Sequence, residues 1–290
     1  MTVVATINGL PVEMVIDTGS PVSLLFRKGA ERLGLKPSLK SDIEMFGVGG
    51  GDTVSVVKVA EMTIGSQTGH NINLAVTGFE KNNRLSGVIG LDVLLRSDVE
   101  FDVAGGRVRF FNPGGCTGGQ VVYWAKPYAV VPFERTGRSK SVRLTVMLND
   151  VSVRAQMDSG ASTSTVTPIT MRRAGVEPTA ATAAGRISGL GKLSVDNSVA
   201  TFSSFAFGQE VIKNAKLNVA DMFKADTEVS LGSLLARSVI DAPEMLLGAD
   251  FFRSHRIYIS ESQRKVYASY IGGPVFDTRQ PTSASPGPAK

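Results

Sequence analysis

The chain has 290 residues, 42% hydrophobic and 20% charged, which suits two domains with separate cores and excludes a disordered or fibrous protein. Its net charge of +5 lies on scattered Lys and Arg; even the densest group, Arg135, Arg138, Lys140 and Arg143, reads as a solvated face, so no nucleic-acid partner is expected. No apolar run approaches the roughly 18 residues of a membrane span, and one cysteine (Cys116) with two histidines (His70, His255) leaves no disulfide, zinc site or thiol–base pair.

Many short alternating segments punctuated by 31 glycines predict an all-β protein. In chain order, residues 3–7 and 11–16 flank Asn8-Gly9, a two-residue hairpin turn because both residues tolerate positive φ. The second arm ends at Asp17-Thr18-Gly19-Ser20. Gly47-Val48-Gly49-Gly50 begins 30 residues after Asp17 and tips a second hairpin, with residues 53–59 as its return arm. Gly65 precedes another strand-like run, and residues 87–92 read Gly-Val-Ile-Gly-Leu-Asp. A short helical pattern and a closing strand over 99–111 follow.

Residues 112–127 form a glycine-rich linker containing Tyr123-Trp124, and residues 128–133 an additional strand. The pattern then repeats. Residues 142–148 and 151–157 flank Asn149-Asp150, and the second arm ends at Asp158-Ser159-Gly160-Ala161. Gly189-Leu190-Gly191 begins 31 residues after Asp158, with residues 193–201 as the return arm. Gly208 matches Gly65, residues 245–250 match 87–92 at their Gly-x-Asp ends, and a closing strand over 256–270 completes the unit. The expected domains are therefore 1–111 and 128–273, with linker 112–127 between them and a Pro-, Ser- and Ala-rich disordered tail over 274–290.

Each turn opens nine positions before its aspartate, so two hairpins deliver two carboxylates to equivalent places in two similar lobes. Pseudosymmetry can bring such carboxylates face to face, and a pair sharing one proton is suited to acid–base hydrolysis. Each half resembles a retropepsin, the retroviral-type aspartic protease domain, through the D-[T/S]-G triplets, the glycine-rich tips and the apolar-apolar-Gly motifs ending at Gly90 and Gly248. That family normally pairs two identical chains. Two such domains in one chain resemble a pepsin-style pseudodimer, most like bacterial retropepsin-like proteins.

The resemblance implies two acid-protease β-barrel lobes and an endopeptidase acting on polypeptides, without metal or cofactor, as a monomer through lobe pairing. Asp17 and Asp158 would be catalytic, supported by Thr18, Gly19, Ser20, Ser159, Gly160 and Ala161, with the Thr18 and Ser159 hydroxyls interlocking the turns. Gly47, Val48, Gly49 and Gly50, and Gly189, Leu190 and Gly191, would form mobile flaps over the substrate. The family builds its joining sheet from terminal strands, which points to a further segment upstream of Met1; no signal peptide is visible in the first 20 residues. A non-cleaving peptide-binding or dimerisation module is the alternative.

Further expectations concern individual residues. Asp92 and Asp250 read as helix-capping carboxylates. Asp98, Glu100 and Asp102 read as solvent-facing strand positions, and Tyr123, Trp124 and Tyr128 as packing between lobes. Leu231, Leu234, Leu235 and Val239 have helical spacing within an insert over 221–243, either capping the cleft or lying outside it. Ser20 stands where the second repeat has Ala161, so its hydroxyl is expected to bond Asp17 and keep it the anion, with Asp158 carrying the proton.

Overall fold

The computed structural model describes residues 1–37, 39–47, 50–78, 84–112, 121–124, 127–135, 141–189, 194–223, 242–276 and 278. The first repeat contains β1 (Thr2–Ile7), β2 (Leu10–Ile16), β3 (Leu24–Leu25), α1 (Arg27–Arg32), β4 (Leu39–Gly47), β5 (Gly50–Ile64), β6 (Gln67–Val76), β7 (Leu85–Ile89), α2 (Leu91–Leu94), β8 (Asp98–Asp102) and β9 (Arg107–Phe111). After β10 (Ala129–Glu134) the order returns. It runs β11 (Arg143–Leu148), β12 (Val151–Met157), β13 (Thr165–Val166), α3 (Pro168–Arg173), β14 (Thr182–Ser188), β15 (Ser194–Phe207), β16 (Glu210–Ala220), β17 (Met245–Leu247), α4 (Ala249–Ser254), β18 (His255–Ser260) and β19 (Lys265–Tyr270).

Each repeat closes into a six-stranded barrel. In the first, β1-β2-β7-β3-β6-β5 returns to β1, and in the second β11-β12-β17-β13-β16-β15 returns to β11. The turn asparagines explain the closure. Asn8 and Asn149 have φ of 49° and 47°, so each hairpin reverses in two residues. Their side-chain oxygens then accept N–H groups from the far strand, Ala60 at 2.9 Å for Asn8 and Ser204 at 3.1 Å for Asn149. Each asparagine thus makes the turn and latches the barrel.

Inside the barrels, alternation sends Ile7, Met14, Ile16 and Ile89 into the first core and Leu148, Val153, Met157 and Leu247 into the second, all about 1% exposed or less. At about 1.5–3 kcal/mol per fully buried large apolar side chain, these positions supply much of the driving force. The second core adds Phe202, Phe205, Phe207 and Phe251, all fully buried.

The barrels are joined by a continuous sheet in the order β10-β19-β18-β8-β9, in which β8 of the first repeat pairs with β18 of the second through Ile257↔Phe101. The expected single closing strands are each a hairpin, β8–β9 and β18–β19. The sheet also overturns the solvent-facing reading of residues 98–102. Asp98 and Glu100 are 1% and 0% exposed, and Asp102 is half-buried, because β8 is interior to the joined sheet.

Glu100 binds Arg109, accepts Arg256 at 2.8 Å and accepts the Tyr123 hydroxyl at 2.7 Å. The Arg256 guanidinium lies 4.6 Å from the Trp124 ring centre. This cluster ties the first repeat, the connecting segment and the second repeat together, and its paired charges explain why a buried Glu is tolerated. Tyr123, Trp124 and Tyr128 pack on this sheet, Tyr128 against Tyr267 at 5.8 Å.

The barrels differ at one matched place. In the first, Arg27 on α1 pairs with Asp52 on β5 at 2.8 Å, and Asp52 also accepts the Gly78 N–H at 2.8 Å and the Thr77 hydroxyl at 3.2 Å. Strand register puts Pro168, Val195, Ala220 and Asp221 at these positions in the second barrel, where they line a cavity of about 640 Å³.

The Arg27 hydrogen bond and charge hold the Asp52 carboxyl down at about 2, below its ordinary 3.8. Stability from this pair is therefore present above about pH 4 and lost as pH falls toward 2. Arg27→Met should destabilise the protein by about 1–2 kcal/mol at neutral pH. In thermal scans the gap between variant and parent should close as the pH is lowered through that window.

Candidate active site

Asp17 and Asp158 stand just past the ends of β2 and β12, and their backbone N–H groups bond to Ile89 O at 3.0 Å and Leu247 O at 2.9 Å. β2 runs parallel to β7, and β12 to β17, so each aspartate is anchored in its own barrel. The two turns interlock. Thr18 N–H donates to Ser159 Oγ at 3.0 Å and Ser159 N–H to Thr18 Oγ1 at 2.9 Å. The Ser159 hydroxyl donates onward to Ile16 O at 2.9 Å, and both side chains are buried.

The glycine of each triplet is required sterically, since a Cβ on Gly19 would overlap the Asp158 carboxyl and one on Gly160 would overlap that of Asp17. The turns therefore bring the two carboxyls together, each over the other's glycine. Gly19 N–H donates to Asp17 at 2.7 Å; Gly160 and Ala161 N–H donate to Asp158 at 3.1 and 2.9 Å.

A second pair of matched bonds buttresses the turns. Ser23 donates its N–H and hydroxyl to Asp92, each at 2.7 Å, and accepts the Gly90 N–H at 3.0 Å. In the second lobe Ser164 donates its N–H at 2.9 Å and its hydroxyl at 2.6 Å to Asp250, and accepts Gly248 N–H at 2.9 Å. Asp92 and Asp250 are structural, but their main partner is this serine rather than the helix end they begin. A serine six positions after Asp17 and again after Asp158 is the sequence signal that could have identified the arrangement.

Ser20 departs from expectation. Its hydroxyl donates to Val22 O at 2.8 Å and not to Asp17. The turn backbone satisfies that hydroxyl locally, as short polar side chains next to turns commonly allow. Among the expected flap residues, Gly47 and Gly50 pair with each other across β4–β5, and Gly189 follows β14. Val48, Gly49, Leu190 and Gly191 lie outside the described residues, as do residues 224–241 with the four apolar positions of the insert.

Both carboxyls of the pair are pushed up, first by burial. Burial raises the Asp17 pKa, opposed by N–H groups of Gly19, Ser20 and Gly160. Burial and then the neighbouring Asp17 charge push Asp158 up to about 8. The pair thus holds a proton well above the usual carboxylate range, while backbone N–H groups on both sides favour the charged form.

A carboxyl whose pKa rises on folding, here from 3.8 to about 8, favours the fold most at low pH and weakens it as pH rises between those values. Asp158→Asn removes that term. Its thermal midpoint relative to the parent should therefore be more favourable at pH 8 than at pH 4, as differential scanning calorimetry across this range would read; an unchanged difference would contradict the raised pKa.

No curated protein matches the chain. Among solved structures, it is similar to a retropepsin-like aspartic protease from Rickettsia conorii, with 16% identity, a TM-score of 0.34, and coverage of 50% of this chain and 91% of that one. The family model for aspartyl proteases matches residues 3–93 and again 144–251. These two matches span more than half the chain and each contains one of the interlocked turns, so the chain belongs to the aspartyl protease family.

Proposed function

We propose that the protein is an aspartic endopeptidase that hydrolyses peptide bonds with one aspartate from each lobe. The observation that carries this reading is the placement of the Asp17 and Asp158 carboxyls, each against the other's glycine, over the interlocked turns. In this reading ionised Asp17 takes a proton from a water molecule as its oxygen attacks the substrate carbonyl. Protonated Asp158 donates a hydrogen bond to that carbonyl and stabilises the developing oxyanion. As the tetrahedral intermediate collapses, the leaving nitrogen receives a proton and the C–N bond breaks.

General acid–base transfer of this kind contributes about 10²–10⁴-fold, and holding an extended peptide in register supplies the remainder. The lobes supply one carboxyl each within a single chain, which supports action as a monomer.

Asp17→Asn and Asp158→Asn should each lower kcat/KM on an unfolded protein substrate by at least about 10³-fold while a cooperative thermal transition persists. A statine-type transition-state mimic should bind the parent with one equivalent per chain. An equimolar mixture of the two variants should stay inactive; recovery on mixing would assign the pair to two chains. Retention of cleavage by either variant would remove the proposed mechanism.

A further inference from the structure

Strand alternation gives each carboxyl a neighbour on its own face. In β2, Met14 and Ile16 point into the core, leaving Val15 on the face of Asp17; in β12, Ala155 and Met157 are buried, leaving Gln156 on the face of Asp158. The adjoining parallel strands extend these faces, since Val15 pairs with Val88 and Gln156 with Leu246. The two walls flanking the carboxyl pair therefore occupy matched positions and differ in chemistry. One is Val15 with Val88, both apolar, with Thr2 of β1 opposite Val15. The other is Gln156 with Leu246, an amide beside an apolar side chain, with Arg143 of β11 opposite Gln156.

Gln156 is only 8% exposed, an unusual burial for a glutamine. Its Nε2 donates across the lobe boundary to Gly19 O at 3.5 Å, which fixes the amide beside the turn that carries Asp17. Its Oε1 has no protein partner among the described residues and is not sealed from water. A side chain held at one end and left unpaired at the other presents an acceptor to whatever lies beside Asp158.

We propose that Gln156 is a specificity-determining residue, so that this protease selects a hydrogen-bond-donating side chain, amide or hydroxyl, on one side of the scissile bond and an apolar side chain on the other. The proposal rests on the endopeptidase reading. It follows from the two walls: the Val15 and Val88 side chains offer no hydrogen bond to a polar group, whereas Gln156 Oε1 accepts a hydrogen bond that an apolar group cannot supply. Discrimination of this kind exceeds that of a single methylene in an apolar pocket.

The test uses the full chain, a peptide mixture read by mass spectrometry, and three non-cleavable peptides. The latter carry a reduced bond flanked by Leu–Leu or by Leu with Gln, each order made. The parent should cut with an apolar residue on one side and Asn, Gln, Ser or Thr enriched on the other. Gln156→Met keeps the length of the side chain and should shift that one position toward apolar residues, lowering the polar-to-apolar ratio of kcat/KM roughly tenfold or more. Val15→Gln should change the opposite position.

A merely structural role for Gln156 would lower cleavage of all peptides equally and leave the ratio unmoved, which would overturn the proposal. A parent profile without the polar preference would overturn it too, with proteolysis still standing. If nothing is cut, the proteolysis reading fails. The affinity of the Gln-containing reduced-bond peptides relative to Leu–Leu then decides the role of Gln156: a ratio changed by Gln156→Met upholds it, and an unchanged ratio or absent binding ends it.

Discussion

The reciprocal hydrogen bonds between Thr18 and Ser159 are the constraint on which the structure turns. Each backbone N–H finds its acceptor in the opposite lobe, at 3.0 and 2.9 Å, so neither turn satisfies its buried groups alone. Once the turns interlock, the positions of the carboxyls follow, because each lies where a Cβ of the opposing glycine would be. The Ser23–Asp92 and Ser164–Asp250 bonds stiffen the chain just beyond each turn. Both lobes thus hold their part of the site by the same means.

This placement opposes stability. Two carboxyls packed together cannot both ionise without paying desolvation and repulsion, and the raised pKa values of the pair express that penalty. The surroundings offset it through the joined sheet, where β8 pairs with β18 and Glu100 gathers Arg109, Arg256 and Tyr123. Pulling the lobes apart would break the β8–β18 ladder and the hydrogen bonds from Arg256 to Glu100, so the sheet resists separation where the site needs the two carboxyls close.

Fusion of two repeats in one chain also lets matched positions differ. Arg27 and Asp52 fill a place that Pro168 and Val195 leave as a cavity, and Val15 faces the site where its counterpart is Gln156. The barrel framework tolerates these differences because its closure rests on other residues, chiefly the asparagine latches and the buried aliphatic positions.

Much of this was legible in the chain itself. Asn8-Gly9 and Asn149-Asp150 specify two-residue reversals through their own backbone preferences, and the alternation of residues 11–16 and 151–157 tells which side chains enter a core. The duplication gave the two-lobed plan because landmarks at matched spacing imply matched topology. Positions whose environment comes from a distant strand were not legible. Glu100 has the local pattern of a surface residue and becomes buried only because β18, more than 150 residues away, covers it. The Ser20 hydroxyl had a plausible partner in Asp17 but found Val22 O in its own turn. Gln156 reads as an ordinary strand residue until the lobes meet at Gly19. Local conformational preference acts over a few neighbouring residues and so is written in the sequence, whereas burial and hydrogen-bond partners depend on which surfaces the closed barrels bring into contact, and that was decided by the tertiary structure alone.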